Sequence, residues 1–596
     1  MNKKTPLILF FLFFALVIRG QNLFLAEQYL KDGEDEKALR IYLEWFDKYH
    51  RYNQQIYDQV LGIYIRKGQY PEAMEWIDKV SVKIKSPAFI VDKFHLYRLM
   101  KDEKNARLQF EKLINKIKAN PFVVNNMVYR LKKYNYLDEA LEIIDYGLKI
   151  KESASLYLLQ VTLYAEKGDS EKMAEAILKT LELNNNYFHY VTGRLKDFIA
   201  SDPAHKYNME LKTRLIRKIQ NNPNPAWLRL LHWIYVREGN FRQAFIQLRG
   251  LYLQGHAGPV DLFNLAENAY LSGKLNDAVS ILNYINSLDD ISPRLQDKIA
   301  LLFTRIENKN PDKEGQEILA LWKKRAEKVT SPHIKAEIYQ LIADRLIYNL
   351  KDFDRAEQLL DSLALHESRD ENLSIWKEKL ADIKLLQKQF DQAALEYTLI
   401  REDFPYEEIN YRALYKIALA SFFSGDYDWA HTTLKTLKKA ADKKIANDAL
   451  RLDFIIIANR TPGDTIHEGL KRFSDIYFDY YARNFESGLR KIKQVKPLLK
   501  GQKIYDDLIY LEAKILWDQG KITDTEPLWN EILTFPTDKI YREEALYRLG
   551  IIYEEFKNDY EGAKAYFKRI LLEYPQSFWY EPARKHYRKL KQNQAI

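Results

Sequence analysis

Residues 26–42 read AEQYLKDGEDEKALRIY, and this stretch contains the pattern that decides the fold. Ala38 is the first of a series of mostly small residues that recurs along the chain, at Ala38, Ala73, Ala106, Ala140 and Met173. Successive members are 35, 33, 34 and 33 residues apart. A period near 34 predicts a helix–turn–helix repeat in which each helix pair packs only on its neighbours. Such an array also suits a chain of 596 residues, which is too long for one ordinary core.

Two further positions keep the same register. Nine residues before each member of this series stands a large side chain, as at Tyr29, Tyr64, Tyr97, Leu131 and Tyr164. Five residues before it, Gly33, Gly68 and Gly168 predict a turn that needs a residue without a Cβ atom. The pattern returns later, with interruptions, at Ala244, Ala278, Ala356, Ala393, Ala430 and Ala563, and in a unit marked by Ala513, Gly520 and Trp529.

The motif Ala26-x-x-Tyr29-x-x-x-Gly33-x-x-x-x-Ala38-x-x-x-Tyr42 resembles the tetratricopeptide repeat family. The resemblance implies an all-α, right-handed superhelical solenoid of helix pairs, with an inner groove lined by the first helix of each pair. About twelve units cover most of residues 22–592. In the last unit one extra residue is expected in the turn around Lys557–Tyr560.

Breaks in the register suggest how the chain is organised. Residues 191–225 and 286–335 lose the period and contain several prolines. The predicted domains are a signal peptide at 1–20, a first repeat block at 21–190, an atypical helical connector at 191–225, a second block at 226–285, an atypical helical spacer at 286–335, a third block at 336–458 and a C-terminal block at 465–596. One continuous solenoid with degenerate repeats is the alternative.

The N-terminus has the pattern of a secretory signal. Lys3 and Lys4 precede an apolar run at 7–18, and Gly20 offers a small residue for cleavage before Gln21. The run is shorter than the ~17–25 residues of a bilayer-spanning helix, and an uncleaved anchor is the alternative. We therefore predict an exported, periplasmic protein, with a peripheral position at the outer membrane as an option, and no transmembrane span after signal cleavage.

Composition and motifs argue against catalysis and against nucleic-acid binding. The 92 basic residues are interspersed with 83 acidic ones, which is typical of a solvated surface and not of a nucleic-acid footprint. No phosphate-binding, nucleophile or zinc motif is present, and the chain has no cysteine. The acidic pairs Glu407-Glu408 and Glu554-Glu555 are expected to be solvated. The prediction is that the protein is not an enzyme and uses no cofactor or metal.

Two surfaces are candidates for binding a partner. The family register puts seven residues on the inner face of the first helices: Arg66, His95, Arg98, Asn125, Tyr129, Lys132 and Lys133. Their cations would attract an acidic segment, although charges there also serve solubility. The second candidate is the aromatic stretch at 473–485, including Tyr477 and Tyr481, whose rings cannot all share one helix face. Packing between blocks is the alternative for that stretch.

The functional prediction follows from these features. We expect a non-catalytic scaffold or adaptor of the bacterial periplasm that binds other proteins, among them outer-membrane or secretion components, in envelope biogenesis or secretion. A glycan- or peptidoglycan-associated accessory protein and a cytosolic repeat adaptor are the alternatives.

Overall fold

The computed structural model describes the chain from residue 23 to 592, apart from short gaps. The residues outside the description are 1–22, 50–51, 197, 201, 222–223, 310–314, 405, 438–442, 461–466, 536–540 and 593–596. In the described ranges every regular element is a helix and no strand occurs, so the all-α class is confirmed. The predicted signal peptide lies outside these ranges. None of the described helices is both long and apolar enough to cross a bilayer.

The chain divides into two compact units, unit 1 (Met1–Ala278) and unit 2 (Val279–Ile596). The helices of unit 1 are α1 (23–31), α2 (Asp35–Tyr49), α3 (Gln54–Arg66), α4 (Tyr70–Ser81), α5 (Ala88–Leu99), α6 (Glu103–Ala119), α7 (Val124–Lys133), α8 (Leu137–Ile150), α9 (Ala154–Lys167), α10 (Ser170–Leu183), α11 (Phe188–Leu195), α12 (Lys206–Asn221), α13 (Pro225–Arg237), α14 (Phe241–Leu253) and α15 (Pro259–Leu271). The next helix, α16 (Leu275–Asn286), contains the limit between the two units.

Unit 2 continues the series of helices. They are α17 (Pro293–Asn308), α18 (Gly315–Lys328), α19 (Pro332–Asp344), α20 (Phe353–His366), α21 (Asp370–Leu386), α22 (Phe390–Asp403), α23 (Glu407–Ser424), α24 (Tyr427–Leu437), α25 (Lys443–Asn459), α26 (Glu468–Tyr481), α27 (Phe485–Leu499), α28 (Ile504–Asp518), α29 (Glu526–Thr534), α30 (Arg542–Ile551), α31 (Tyr560–Glu573) and α32 (Tyr580–Gln592). Within each unit, helices pack mainly on their sequence neighbours, as a solenoid requires.

In most of the helix pairs whose turn the structure describes, one residue of the turn is left-handed, as the sequence predicts for Gly33. There the amide of Gly33 donates to the Leu30 carbonyl (3.3 Å), and the amide of Glu34 donates to the Tyr29 carbonyl (2.8 Å). This pair of bonds satisfies carbonyls that the helix end leaves open. Glycine takes this position in many pairs. In other pairs the left-handed residue is Lys101, Asn135, Lys351, Lys388, Arg483 or Asn558.

These non-glycine turns reveal a repeat that the sequence pattern missed. Arg483 (φ 56°) joins α26 to α27, and five residues later Gly488 takes the position that alanine holds elsewhere. Both signature residues are therefore changed in this unit. The aromatic stretch at 473–485 consequently belongs largely to the first helix of an ordinary pair.

The five residues that define the period lie where the helices of a pair approach each other closely. Ala38, Ala73, Ala140 and Met173 are fully buried, and Ala106 is nearly so. Small side chains there allow the helices of a pair to come together while larger ones fill the remaining space. The prediction drawn from the period is confirmed at these five positions.

The extra residue of the last repeat is absorbed inside the first helix and not in the predicted turn at Lys557–Tyr560. Residues Ile552–Phe556 form a π-helical turn directly after α30. There the amide of Lys557 donates to the carbonyl of Ile552 at 3.0 Å, one residue further back than in an α-helix. A π-helical turn commonly accommodates a single inserted residue, and here it forms the last turn of the first helix.

Gly550 of α30 has no room for a side chain. A Cβ atom there would lie 2.5–2.9 Å from ring atoms of Phe567, which is fully buried on α31. We expect Gly550→Ala to destabilise this helix pair by about 1–3 kcal/mol through overpacking. Hydrogen exchange in α30 and α31 should accelerate accordingly.

Gly193 provides the matched control for this prediction. It lies in α11, is exposed, and a Cβ atom there would meet nothing within 4 Å. Gly193→Ala should therefore stabilise its helix by up to about 1 kcal/mol, because alanine favours helix over glycine. An equal response to both substitutions would contradict the steric explanation.

The regions without the period are also helical. α11 and α12 lie largely within the predicted connector at 191–225, and α17 and α18 lie within the predicted spacer at 286–335. In unit 2 one cluster of buried apolar side chains extends from Leu301 to Ile515. The individual block limits remain a prediction.

Successive first helices are joined by buried polar contacts that repeat at the 34-residue period. In unit 2, Asp382 of α21 accepts hydrogen bonds from Tyr348 (2.8 Å) and Lys416 (2.6 Å), each 34 residues away. Tyr397 of α22 donates to the same carboxylate at 2.5 Å. Burial opposes ionisation of Asp382, but Lys416 and Tyr397 outweigh it and keep its pKa below the usual range.

One expectation about solvated acids was wrong. Glu554 is almost fully buried, and its carboxylate accepts from His586 Nδ1 at 2.6 Å and Lys589 Nζ at 2.8 Å, both on α32. Burial opposes its ionisation, but these two partners lower its pKa below the usual value. The terminal helix α32 is thus held partly by a residue that the sequence pattern assigned to solvent.

Candidate functional site

The four cations predicted as a basic strip in unit 1 are each paired with an acid. The pairs are Arg66–Asp35, Arg98–Glu103, Lys132–Glu166 and Lys133–Asp58. Arg66, at the end of α3, holds Asp35 at the start of α2 at 2.7 Å, so this pair connects two successive repeats. Each of the four cations thus has an acidic partner, although Lys133 shares Asp58 with Arg130. Their use by a partner remains a prediction.

The other predicted residues of unit 1 fall into two groups. His95 stacks on Tyr134, with ring centres 3.8 Å apart, and its Nδ1 lies 3.0 Å from the Tyr136 hydroxyl. Burial and the charge of Arg130 lower the pKa of His95 to about 4, so its ring is neutral at pH 7. Asn125 and Tyr129 are exposed, Tyr129 by 74%.

An ion network that the sequence analysis did not identify lies close to His95. The carboxylate of Asp92 accepts from the hydroxyls of Tyr57 and Tyr134, each at 2.6 Å, and from Arg130 Nε at 2.5 Å. Arg130 also donates through Nη1 to Asp58 at 2.6 Å. Asp92 and Arg130 are buried, so this network fixes the register of α3, α5 and α7 rather than presenting charge to a partner.

The two predicted aromatic residues of unit 2 pack against another helix. Tyr477 lies 6.1 and 6.0 Å, between ring centres, from Phe422 and Phe423 of α23. Tyr481 lies 5.8 Å from Phe423, and its hydroxyl accepts from Lys416 at 2.8 Å. Packing between helices accounts for these contacts, while binding of a partner by Tyr477 and Tyr481 remains a prediction.

An open groove lies elsewhere in unit 2. It has a volume of about 880 Å³ and is bounded by α25, α28, α30 and the segment at 573–579 before α32. Its apolar lining includes Leu450 and Phe454 of α25 and, from the segment before α32, Phe578 and Trp579. Leu450 and Phe454 are each 42% exposed and Phe578 is 67% exposed. Large apolar side chains of a helix are exposed here on a side that would ordinarily be polar.

Three cations in this groove converge on one buried carboxylate, that of Glu544. Arg548 Nη2 lies 3.1 Å from it, Arg451 Nη2 3.6 Å and Lys514 Nζ 3.7 Å. The hydroxyl of Tyr510 donates to it at 2.8 Å. Burial opposes ionisation of Glu544, but Lys514, Arg451 and Arg548 outweigh that effect and lower its pKa below the usual value.

Aromatic rings hold two of these cations in place. Arg451 lies over the ring of Tyr510 at 5.0 Å, and that ring is stacked on Tyr541 with centres 4.1 Å apart. Arg548 lies over Trp517 at 4.3 Å and over Trp579 at 5.4 Å. Such contacts position guanidinium groups while leaving some of their N–H donors available.

The sequence analysis did not single out these groove residues. The available signal was the spacing of 34 between Tyr510 and Glu544, which equals the spacing between Tyr348 and Asp382. No described group of three or more His, Cys, Asp or Glu residues is arranged to hold a metal ion.

Comparison with known proteins bears on the part of the chain that forms this groove. Residues 544–577 match the tetratricopeptide repeat family. This tetratricopeptide-type repeat supplies Glu544, Arg548 and Tyr574 to the groove lining. The match supports a repeat protein of the tetratricopeptide type, and no curated protein matches the chain.

Solved structures give only a distant likeness. The Naa15/Naa10 complex bound to HypK-THB is 11% identical, with 96% of each chain covered and a TM-score of 0.27. The pentatricopeptide repeat protein PPR10 from maize is 11% identical, with 96% of this chain and 84% of that one covered and a TM-score of 0.39. The Cut9–Hcn1 hetero-tetramer is 12% identical, with 91% and 97% covered and a TM-score of 0.21. At these TM-scores, nothing that those proteins do bears on this chain.

Proposed function

We propose that this protein is a non-catalytic interaction scaffold or adaptor that binds other proteins through the groove of unit 2, and that it works in the bacterial periplasm in envelope biogenesis or secretion. The observation that supports binding is the exposure of Leu450, Phe454 and Phe578 in an open groove of about 880 Å³. Support for export comes from the pattern of residues 1–20, which lie outside the described part of the chain.

The two faces of α25 give the most direct support for binding. Its Ala449, Leu452 and Ile456 are buried in the core of unit 2, so one face is already used for folding. Leu450 and Phe454 belong to the other face and line the groove. Because burying exposed large apolar side chains supplies much of the free energy of protein association, a partner is the natural cover for this second face.

The experiment is crosslinking of the full chain in the native host, followed by purification and comparison of captured proteins between variants. Phe454→Glu should strongly reduce the captured set because it puts a charge into the apolar contact. Leu365→Glu is the control, since Leu365 is 81% exposed on α20 and does not line the groove. Equal capture by both variants would remove the groove from the proposal.

Two further measurements test the finer parts of the proposal. Fractionation of the host should recover the protein in the periplasm, and recovery in the cytosol would favour the cytosolic adaptor. Sedimentation with purified sacculi should leave the protein in the supernatant, whereas co-sedimentation would favour the peptidoglycan-associated alternative.

A further inference from the structure

The described helices of unit 2 from α19 to α31 form pairs, with one exception. The two helices of each pair are joined at a left-handed residue, and these residues are Lys351, Lys388, Gly425, Arg483, Gly520 and Asn558. Successive members of this series are 37, 37, 58, 37 and 38 residues apart. The long interval contains α25, which is therefore a single helix inserted between two complete pairs.

The packing of α25 agrees with this placement. It packs chiefly on α24, where His431 Nδ1 lies 2.5 Å from a carboxylate oxygen of Asp453. His467 is also left-handed, but it directly precedes α26, eight residues after α25 ends, so it does not form the tight turn of a helix pair. Among the described helices from α19 to α31, α25 alone has no second helix packed along it as its pair.

The solvent side of α25 has an apolar stripe. Leu450, Phe454 and Ile457 are 42%, 42% and 50% exposed. Their spacing of four and three residues places them within about 60° of one another around the helix axis. Ala446 and Asn447 continue the same face without a charge. A helix that packs on one side only is ordinarily polar on the other, so the stripe is a second packing face.

The spacing of the stripe fits another helix. Apolar side chains at i, i+4 and i+7 form the seam along which one helix packs on another. An extended segment would need hydrogen-bond partners for its backbone, which an apolar stripe does not offer, and the described part of the chain has no strand whose edge could provide them. A helix satisfies its own backbone hydrogen bonds and needs only apolar contact.

The groove beside the stripe has room for such a helix. Its volume is about 880 Å³. Two helical turns about 10.5 Å long and about 10–12 Å in diameter occupy roughly 800–1,200 Å³. Leu450 and Phe454 line the groove, whereas Ile457 lies outside its lining and extends the stripe along α25. An occupant that covers all three side chains must therefore run along the axis of α25.

We propose that a partner protein supplies the second helix that α25 lacks. This is an amphipathic helix that lies along α25, with its apolar side chains packed against Leu450, Phe454 and Ile457 and its polar side towards solvent. Because the stripe contains no charge, burial of apolar surface supplies the affinity. The inference rests on the proposed function and names the class of segment that the scaffold binds.

The test uses the full chain and two synthetic peptides of about 18 residues, with blocked ends and the same composition, measured by fluorescence anisotropy. In the first peptide leucine recurs at i, i+3, i+4 and i+7, and in the second the order is shuffled so that the leucines surround the helix. The protein should bind the first peptide at least about tenfold more tightly, and the helical circular-dichroism signal of that peptide should rise on binding. Salt should change its affinity by less than about twofold.

Ile457→Glu is the decisive variant, because Ile457 belongs to the stripe but not to the groove lining. It should weaken binding of the first peptide at least about tenfold, since it puts a charge into the apolar contact. Leu399→Glu is the matched control. Leu399 is 43% exposed on α22 and does not line the groove, so this variant should bind as tightly as the unchanged protein. Both variants should retain the helical circular-dichroism signal of the protein, because both side chains are exposed.

Several results would overturn the inference. They are equal binding of the two peptides, an effect of Ile457→Glu no larger than that of Leu399→Glu, or no binding of either peptide up to millimolar concentration. A dimer of the protein alone that Ile457→Glu abolishes would assign the stripe to a second copy of this chain instead. If one of these results appears while crosslinked capture still depends on Phe454, the helical segment is wrong and the scaffold function stands.

Discussion

Asp382→Asn is expected to destabilise unit 2 by about 3–5 kcal/mol, because it leaves the ammonium group of Lys416 buried without its counter-ion. Asp382 is only 4% exposed and accepts hydrogen bonds from Lys416, Tyr348 and Tyr397. An asparagine has one acceptor oxygen for three donors, and its amide adds two donors of its own. Both the unpaired charge and the lost hydrogen bonds act in the same direction.

Hydrogen exchange measured by mass spectrometry is the suitable readout for this variant. A repeat array opens in parts, so a single free energy for the whole chain is not well defined. Exchange in α21 and α23 should accelerate by about two to four orders of magnitude. Peptides from unit 1 should change little, because stability in such arrays depends mainly on neighbouring repeats.

Two further variants identify the cause of that effect. Asp391→Asn removes an exposed carboxylate from the first turn of α22 and should cost only a few tenths of a kcal/mol. Combining Asp382→Asn with Lys416→Met removes both charges and should recover a substantial part of the loss. If Asp382→Asn changed exchange no more than Asp391→Asn, the buried pair would not stabilise the fold.

The features of the fold that the sequence predicts are the local ones. Helix approach at Ala38 and the left-handed turn at Gly33 each depend on one residue type, so both produce a visible period. The pair α26–α27 was missed because Arg483 takes the left-handed turn and Gly488 takes the alanine position. Within a well-packed turn the backbone conformation is imposed by the neighbouring helices, and an arginine can be held there.

The polar features were harder to predict because burial depends on the next repeat. Asp92, Asp382 and Glu554 appear in sequence as ordinary charged residues of amphipathic helices. Their partners lie 32 to 42 residues away or, for Tyr397, 15 residues away on the second helix of the pair. The groove of unit 2 has the same origin, since its cations matter only once α25, α28 and α30 are brought together.

Alkaline pH is expected to unfold the repeats around Asp382, because ionisation of their buried tyrosines favours the unfolded state. Burial, followed by the nearby carboxylate of Asp382, raises the pKa of Tyr348 and Tyr397 well above 10. Burial also raises the pKa of Tyr481, which belongs to the same cluster. In the unfolded chain these phenols ionise near pH 10.

The direction of the effect follows from comparing the two states. A group whose pKa is higher in the folded protein contributes its full stability below the unfolded pKa and loses it as pH rises towards the folded value. Each such tyrosine therefore reduces the free energy of unfolding of the repeats around Asp382 by about 1.4 kcal/mol per pH unit above pH 10. Three in one cluster give about 4 kcal/mol per unit, and the raised pKa of Lys416 acts in the same sense.

The measurement combines urea titrations followed by circular dichroism between pH 9 and 11.5 with tyrosinate absorbance at 295 nm. The urea concentration at which half of the helical signal is lost should be constant up to about pH 10 and then fall steeply, with tyrosinate appearing together with the loss of helix. Tyr397→Phe removes one ionisable group, so its stability should start lower but decline less steeply with pH. If most tyrosines titrated near pH 10 while the helical signal persisted, the hydroxyl networks around Asp382 would be open to solvent, and the buried polar contacts could not be what holds successive repeats in register.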